Sequence, residues 1–292
     1  PSMLDRLGQT VRPEFEQLSG EHHRKLLSTR ESVEKVPAAF KRRPVIDTLK
    51  HPWDGLSAFE RRGLMLAQSA TQSARSLPAL IEIVESGMDH SVPVSAPIPY
   101  PSSSAREDLL AFMTGSLEQA SQQRNHSLAH VAEADRDFLF QQARSIVEHF
   151  IPQIIDPPDQ THTRIQDDVR FAALIDQQIA YADLLAAAQT LTRLADESWL
   201  RRLAGAWTTP LSASSVPPGV TGDILLAQDT TDGLIVIGGP GPNSYELDRR
   251  FGLIIDLGGN DRYEGGPLGL ATGRLGVGLL IDHASDDVYN LT

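Results

Sequence analysis

The run Leu253-Ile254-Ile255-Asp256-Leu257-Gly258-Gly259-Asn260-Asp261-Arg262-Tyr263 is answered by Leu279-Leu280-Ile281-Asp282-His283-Ala284-Ser285-Asp286-Asp287-Val288-Tyr289, 26 residues later and without a gap. A looser third copy lies upstream, Leu234-Ile235-Val236-Ile237-Gly238-Gly239-Pro240-Gly241-Pro242-Asn243-Ser244-Tyr245, one residue longer than the second. Copies at this spacing predict a stacked, β-solenoid or β-helix-like region, in which each unit buries its apolar strand only against its neighbours. Strands are expected at 223–226, 233–237, 253–255 and 277–281. They are short, apolar on both faces and separated by Gly, Pro, Asn and Asp, a pattern that suits strands covered on both sides.

Composition changes near residue 208. Of the 22 glycines, 15 fall from Pro210 onward, and none of the lysines does. The chain therefore reads as a segregated α+β protein: an N-terminal α-helical bundle over 1–207, a Pro- and Ser-rich linker over 208–219, and a β-repeat region over 220–292. The linker can neither continue a helix nor fill a strand interior. Within the helical part, 13–36 is charged and weakly periodic, and 56–85 reads as two helices meeting at Leu77-Pro78. Residues 91–101, with prolines at 93, 97, 99 and 101, form an extended connector. Ser104 with Glu107 has the form of a capping box opening the next helix, and another helix spans about 135–150. The longest helix is expected over about 166–196, apolar on two sides and so central to a bundle.

The net charge of -12 excludes nucleic acid as a main partner, because phosphate neutralisation needs clustered Lys and Arg. The one basic run, Lys41-Arg42-Arg43, reads as a solvated helix end. With no cysteine, disulfides, thiolate metal sites and cysteine nucleophiles are all excluded. No stretch approaches the roughly eighteen apolar residues of a membrane span. The opening Pro1-Ser2-Met3 carries no charged-then-apolar leader, which implies removal of a leader or of an initiator Met. The compartment stays open, with a secreted or periplasmic setting slightly favoured.

The turn after each apolar strand carries the chemistry. Asp256 and Asp282 follow apolar residues, so each needs a cation, a turn N–H or water, since an unpaired buried carboxylate is too costly. Asn243, Asp261 and Asp287 are equivalent, and are expected either to bond their own backbone as Asx turns or to ligate an ion. Tyr245, Tyr263 and Tyr289 are expected to stack as a wall over the strands. If a metal binds, its ligands come from Asp256, Asn260, Asp261, Asp282, Asp286 and Asp287. These are hard oxygen donors suited to calcium.

Gly258-Gly259-Asn260-Asp261-Arg262-Tyr263-Glu264-Gly265-Gly266 resembles the glycine- and aspartate-rich nonapeptide of calcium-binding β-roll (RTX-type) proteins. The larger pattern, an apolar strand and then Gly-(Asn/Asp)-Asp-x-Tyr, is similar to long-period β-solenoid repeats of bacterial proteins. The resemblance covers the C-terminal part alone. It implies calcium in the turns and carries no activity.

Other motifs carry less. His126 and His130 with Glu133 have helical metal spacing but lack the glutamate directly after the first histidine that zinc peptidases use. A solvated face is the expected role, and nothing brings Glu21-His22-His23, His149 or His162 to them. Gly238-Gly239-Pro240-Gly241 lacks the helix and the Lys-Ser/Thr pair of a phosphate loop. No Gly-x-Ser-x-Gly elbow is present.

These readings point to a non-catalytic scaffold or interaction protein. Its last β rung, ending at Asn290-Leu291-Thr292 (also a glycosylation sequon), is expected to be covered by another chain or a continuing polypeptide. The alternative is part of a secreted carbohydrate-active lyase or hydrolase. That reading requires the aspartates to line an open cleft near Arg262 or Arg274.

Overall fold

The structure, a computed structural model, describes residues 98–139, 141–142, 180–247, 250–266, 276–283 and 286–291, with scattered positions in 61–68 and 167–179. The chain divides into two compact units: Pro1–Val92 with Thr161–Ile179, and Pro93–Gln160 with Ala180–Thr292. In the first unit the described positions at 61–68 and 167–178 are helical. The helix expected over 13–36 lies outside the described residues, as do most of the two expected over 56–85, Lys41-Arg42-Arg43, His22, His23, His149 and His162.

The second unit is built on one curled sheet of six strands: β1 (Val220–Thr230), β2 (Gly233–Glu246), β3 (Phe251–Asp256), β4 (Arg262–Gly265), β5 (Leu279–Asp282) and β6 (Val288–Leu291). The long strand β2 pairs in parallel with β3 through its first half, Ile237 opposite Ile255, and with β4 through its second, Tyr245 opposite Tyr263. β5 continues β3 and β6 continues β4, again in parallel, with Asp256 opposite Asp282 and Tyr263 opposite Tyr289. Three rungs result: β2 alone, β3 with β4, and β5 with β6. β1 runs antiparallel along both halves of β2 and covers the first rung.

Successive side chains on a strand point to opposite faces. Leu234, Val236, Phe251 and Ile254 therefore pack with Tyr245, Leu247 and Tyr263 on one side. Ile235, Ile237, Leu253 and Ile255 face the other, where helices cover them. Helix α1 (Arg106–Ser127) presents Leu109, Phe112, Met113, Leu117 and Ala120, the i, i+3, i+4 spacing of one helical face. Glu107 and Asp108 in its first turn and Arg124 and His126 in its last complement its dipole. Helix α2 (Tyr181–Thr192) adds Ala187 and Leu191, and α3 (Glu197–Ala206) adds Trp199, Leu200 and Leu203. Asp196 caps α3 by accepting from the backbone N–H of Ser198 at 2.9 Å and of Trp199 at 3.2 Å. The Trp199 ring then meets Phe112 edge-on, centroids 4.8 Å apart.

The contact between α1 and the sheet has a local requirement at Gly252. β3 carries one more residue than β2 here, so Leu234 faces Phe251 while Ile235 faces Leu253. A side chain at Gly252 would meet Leu117 of α1 and the Asp232 carbonyl. This insertion also corrects the count of copies. From Ile235 to Tyr245 the first rung matches the second residue for residue, 18 positions apart, and the apparent extra residue, Leu234, lies before that match and pairs with Phe251 across the bulge at Gly252.

Several expectations are overturned. The segregated α+β arrangement, an N-terminal helical bundle followed by a β-solenoid, is not what forms. No helical bundle is seen among the described residues, and α1, α2 and α3 share a single core with the sheet. An apolar stripe records that a helix face is buried, and a sheet serves as its partner as well as another helix does. The β region is a curled sheet with an antiparallel first strand and a helix-covered face. It is not a free-standing column of coils that bury themselves only against one another. The helix expected over 166–196 is broken at Ile179 and Ala180, where the Ala180 N–H donates to the Ser127 carbonyl at 3.0 Å. A 3-10 turn at Arg193–Ala195 then separates α2 from α3. At α1 the N-cap position is Ala105, with no side-chain cap, and Ser104 Oγ accepts instead from Arg202.

Candidate functional site

The three rungs align three columns of side chains. The first is the tyrosine column. Tyr245 and Tyr263 stack with centroids 5.1 Å apart, and Tyr263 and Tyr289 at 4.8 Å, each pair within 10° of parallel. Parallel pairing in register, Tyr245 opposite Tyr263 and Tyr263 opposite Tyr289, forces this superposition although the two offsets differ, 18 and 26 residues. Tyr245 and Tyr263 are fully buried, whereas Tyr289 is 50% exposed.

The second column joins neighbouring turns. Asp261 Oδ1 accepts from the backbone N–H of Asn243 at 2.7 Å, and Asp287 Oδ1 from that of Asp261 at 2.8 Å. These carboxylates therefore bind the turn of the preceding rung, not their own as an Asx turn would. The third column is Gly238, Asp256 and Asp282. Asp256 Oδ2 accepts from the Tyr245 hydroxyl at 2.5 Å and from Asn243 Nδ2 at 3.1 Å, while Oδ1 accepts from the Gly258 N–H at 3.0 Å. Gly238 occupies the corresponding place in the first rung, where any Cβ would fall on the Tyr245 hydroxyl and the Asp256 carboxylate. Asp282 Oδ2 accepts from the Tyr289 hydroxyl.

These columns bring Asp256, Asp261 and Asp282 together, with one oxygen of each inside a 4.8 Å span. Asp256 and Asp261 are buried and Asp282 is half-buried. Asp261 Oδ2, Asp282 Oδ1 and the Tyr263 hydroxyl are buried without completing a hydrogen bond. Burial pushes the Asp261 carboxyl up to about 7, helped by the neighbouring Asp256 and Asp282 and opposed by the Asn243 N–H. Burial also raises Asp256, against the stabilising donation from Tyr245, and raises Asp282 with the adjacent Asp287. The tyrosines are raised too, first by desolvation and then by the carboxylates beside them. The arrangement concentrates oxygen ligands and negative charge. Among the described residues no ion pair reaches any of the three aspartates.

Of the expected ligand set, Asp256, Asp261 and Asp282 converge, and Asp287 holds the Asp261 N–H at one remove. Asn260 and Asp286 are exposed. The expectation based on sequence spacing missed Asn243 as an Asp256 partner and Gly238 as the space that admits the tyrosine hydroxyl. The offset of 18 between first and second rungs, once aligned from Tyr245 back, places both. His126 and His130 do not share a helical face. His126 ends α1 and meets Asp183 at 2.8 Å, while His130 is exposed past the helix end. Gly238–Gly241 lie inside β2, with no phosphate-binding helix after them.

Comparison with protein-family models, curated proteins and solved structures finds no match. The resemblance to RTX-type β-roll repeats is thereby overturned, and the geometry agrees. The turns recur at 18 and 26 residues, not nine, and Asp261 and Asp287 spend an oxygen each on cross-rung backbone bonds.

Proposed function

We propose that this chain is a non-catalytic interaction protein whose third rung, β5 with β6, receives a further strand–turn–strand of the same chemistry. That segment has an apolar strand ending in a carboxylate, then an aspartate turn and an aromatic residue. It comes from another chain or from a continuing polypeptide. One observation carries the reading. The tyrosine column is buried at Tyr245 and Tyr263 but 50% exposed at Tyr289, beside an equally exposed Val288. β1 covers the opposite edge of the sheet, so among the described residues β5 and β6 form the edge that no further strand pairs.

The hydroxyls support the same reading. Tyr245 of the first rung donates to Asp256 of the second. By that rule Tyr263 donates to Asp282 and Tyr289 to the carboxylate of a fourth rung. Here Tyr289 has turned back onto Asp282, and the Tyr263 hydroxyl faces Asp282 without completing its bond. A fourth carboxylate restores the order. The lyase or hydrolase reading has less support, because Asp256 and Asp261 are buried in the ladder and Arg262 pairs with Glu264 on the surface, while Arg274 lies outside the described residues.

The test uses a synthetic peptide spanning 276–291, which carries the third rung's own pattern, added to the full chain. Saturable binding with slowed amide exchange in β5 and β6 is expected, and Tyr289→Lys abolishes it. Absence of saturable binding at millimolar peptide, or binding indifferent to Tyr289→Lys, overturns the reading.

A further inference from the structure

We infer that Asp256, Asp261 and Asp282 bind one calcium ion between the second and third rungs, with the Tyr263 hydroxyl facing it. The site does not depend on the docking of a further rung, since β3, the turn before β4, and β5 supply all its ligands.

Three aspartates alone do not make a site, but two features here point to a ligand. Asp261 Oδ2 and Asp282 Oδ1 are buried oxygens that accept nothing. The Tyr263 hydroxyl, outside the acid cluster and fully buried, is also without a partner, and its charged neighbours are these same three aspartates. Buried polar atoms are paired in folded proteins as a rule, so three orphans converging on one space call for a shared partner. That partner must carry positive charge, since among the described residues no Lys or Arg pairs with the cluster.

The donor set names the ion. Oxygen alone selects a hard cation over zinc or copper. Size then separates calcium from magnesium. Calcium–oxygen bonds of about 2.3–2.6 Å place ligands on opposite sides of the ion roughly 4.6–5.2 Å apart, whereas magnesium bonds of about 2.0–2.1 Å require about 4.1 Å. The carboxylate oxygens lie within 4.8 Å of one another. Calcium, with the longer bonds, reaches oxygens anywhere within that span, whereas magnesium reaches only its closer part.

Terbium, a calcium surrogate whose emission is sensitised by nearby tyrosines, gives the direct readout on the chelator-treated full chain. One saturable terbium site is expected, emptied by calcium at a concentration at least about tenfold below that needed with magnesium. Asp261→Asn and Asp282→Asn each weaken it by about tenfold or more, and the exposed Asp286→Asn leaves it unchanged. Calcium at one hundred times its Kd raises the melting temperature by roughly 5–10 °C. If the Asp261 variant does not fold, the half-buried Asp282 variant and the melting shift of the unaltered chain still decide. No saturable terbium site, or one of equal strength in a folded Asp261 or Asp282 variant, overturns the site. Equal displacement by magnesium overturns its assignment to calcium.

Discussion

The Tyr245 hydroxyl donates to the Asp256 carboxylate at 2.5 Å, joining the first rung to the second through a fully buried contact. The space for it exists because Gly238 has no side chain. Gly238→Ala should therefore destabilise the fold by about 2–3 kcal/mol, as overpacking of a tight core does. Tyr245→Phe should cost about 1–2 kcal/mol through the lost donor to a charged acceptor. The double variant should cost less than the sum, since removing the hydroxyl makes room for the methyl group. Urea denaturation of the four species gives the coupling directly, and strict additivity would contradict the geometry.

The tyrosine column predicts a gradient. Tyr263 is buried between two rings and Tyr289 is stacked on one side only. Tyr263→Ala should cost about 3–5 kcal/mol, in the range for large buried aromatics, and Tyr289→Ala about 1 kcal/mol. Equal losses in urea midpoint would mean that the two rings are equally buried in solution.

Much of this column was legible from spacing alone. Parallel strands in register stack residues separated by a constant interval, so the interval of 26 between Tyr263 and Tyr289 fixes which rings meet. What covers the strands was not legible. Ile235 and Val236 look alike in sequence, yet one packs against helices and the other against the tyrosine face. Helical periodicity in α1 likewise marks Leu109, Phe112 and Leu117 as buried without naming a sheet as their partner. The acid cluster was half legible. Asp256 and Asp282 repeat visibly, but the bond from Asp261 to the Asn243 N–H depends on the pairing of β2 with β4. That pairing emerges only when the copies are aligned backwards from the tyrosines.

The cap of α3 offers a test of how helix and sheet depend on each other. Asp196→Ala leaves the N–H groups of Ser198 and Trp199 without their acceptor and should cost about 1 kcal/mol. Because Trp199 sits in the core shared by α1 and the sheet, the loss should appear in one cooperative transition followed equally by tryptophan fluorescence and far-UV circular dichroism. Separate transitions for the two signals would show that the helices unfold independently of the sheet.

The acid cluster predicts an inverted dependence on pH. The Asp261 carboxyl is pushed up to about 7 when folded, above its ordinary value of 3.8, chiefly by burial. The folded chain therefore binds a proton that the unfolded chain has released across that interval, and stability is highest below the unfolded value. It declines as pH rises through about 7, and the raised carboxyls of Asp256 and Asp282 act in the same direction. In chelator, the urea midpoint at pH 5 should exceed that at pH 8. Asp261→Asn, neutral throughout, should flatten the difference. Saturating calcium should also flatten it, because an ion replaces the proton as the neutralising charge and expels it on binding. A midpoint that rises from pH 5 to pH 8 in chelator would mean that these carboxylates are solvated and that the ladder does not close around them.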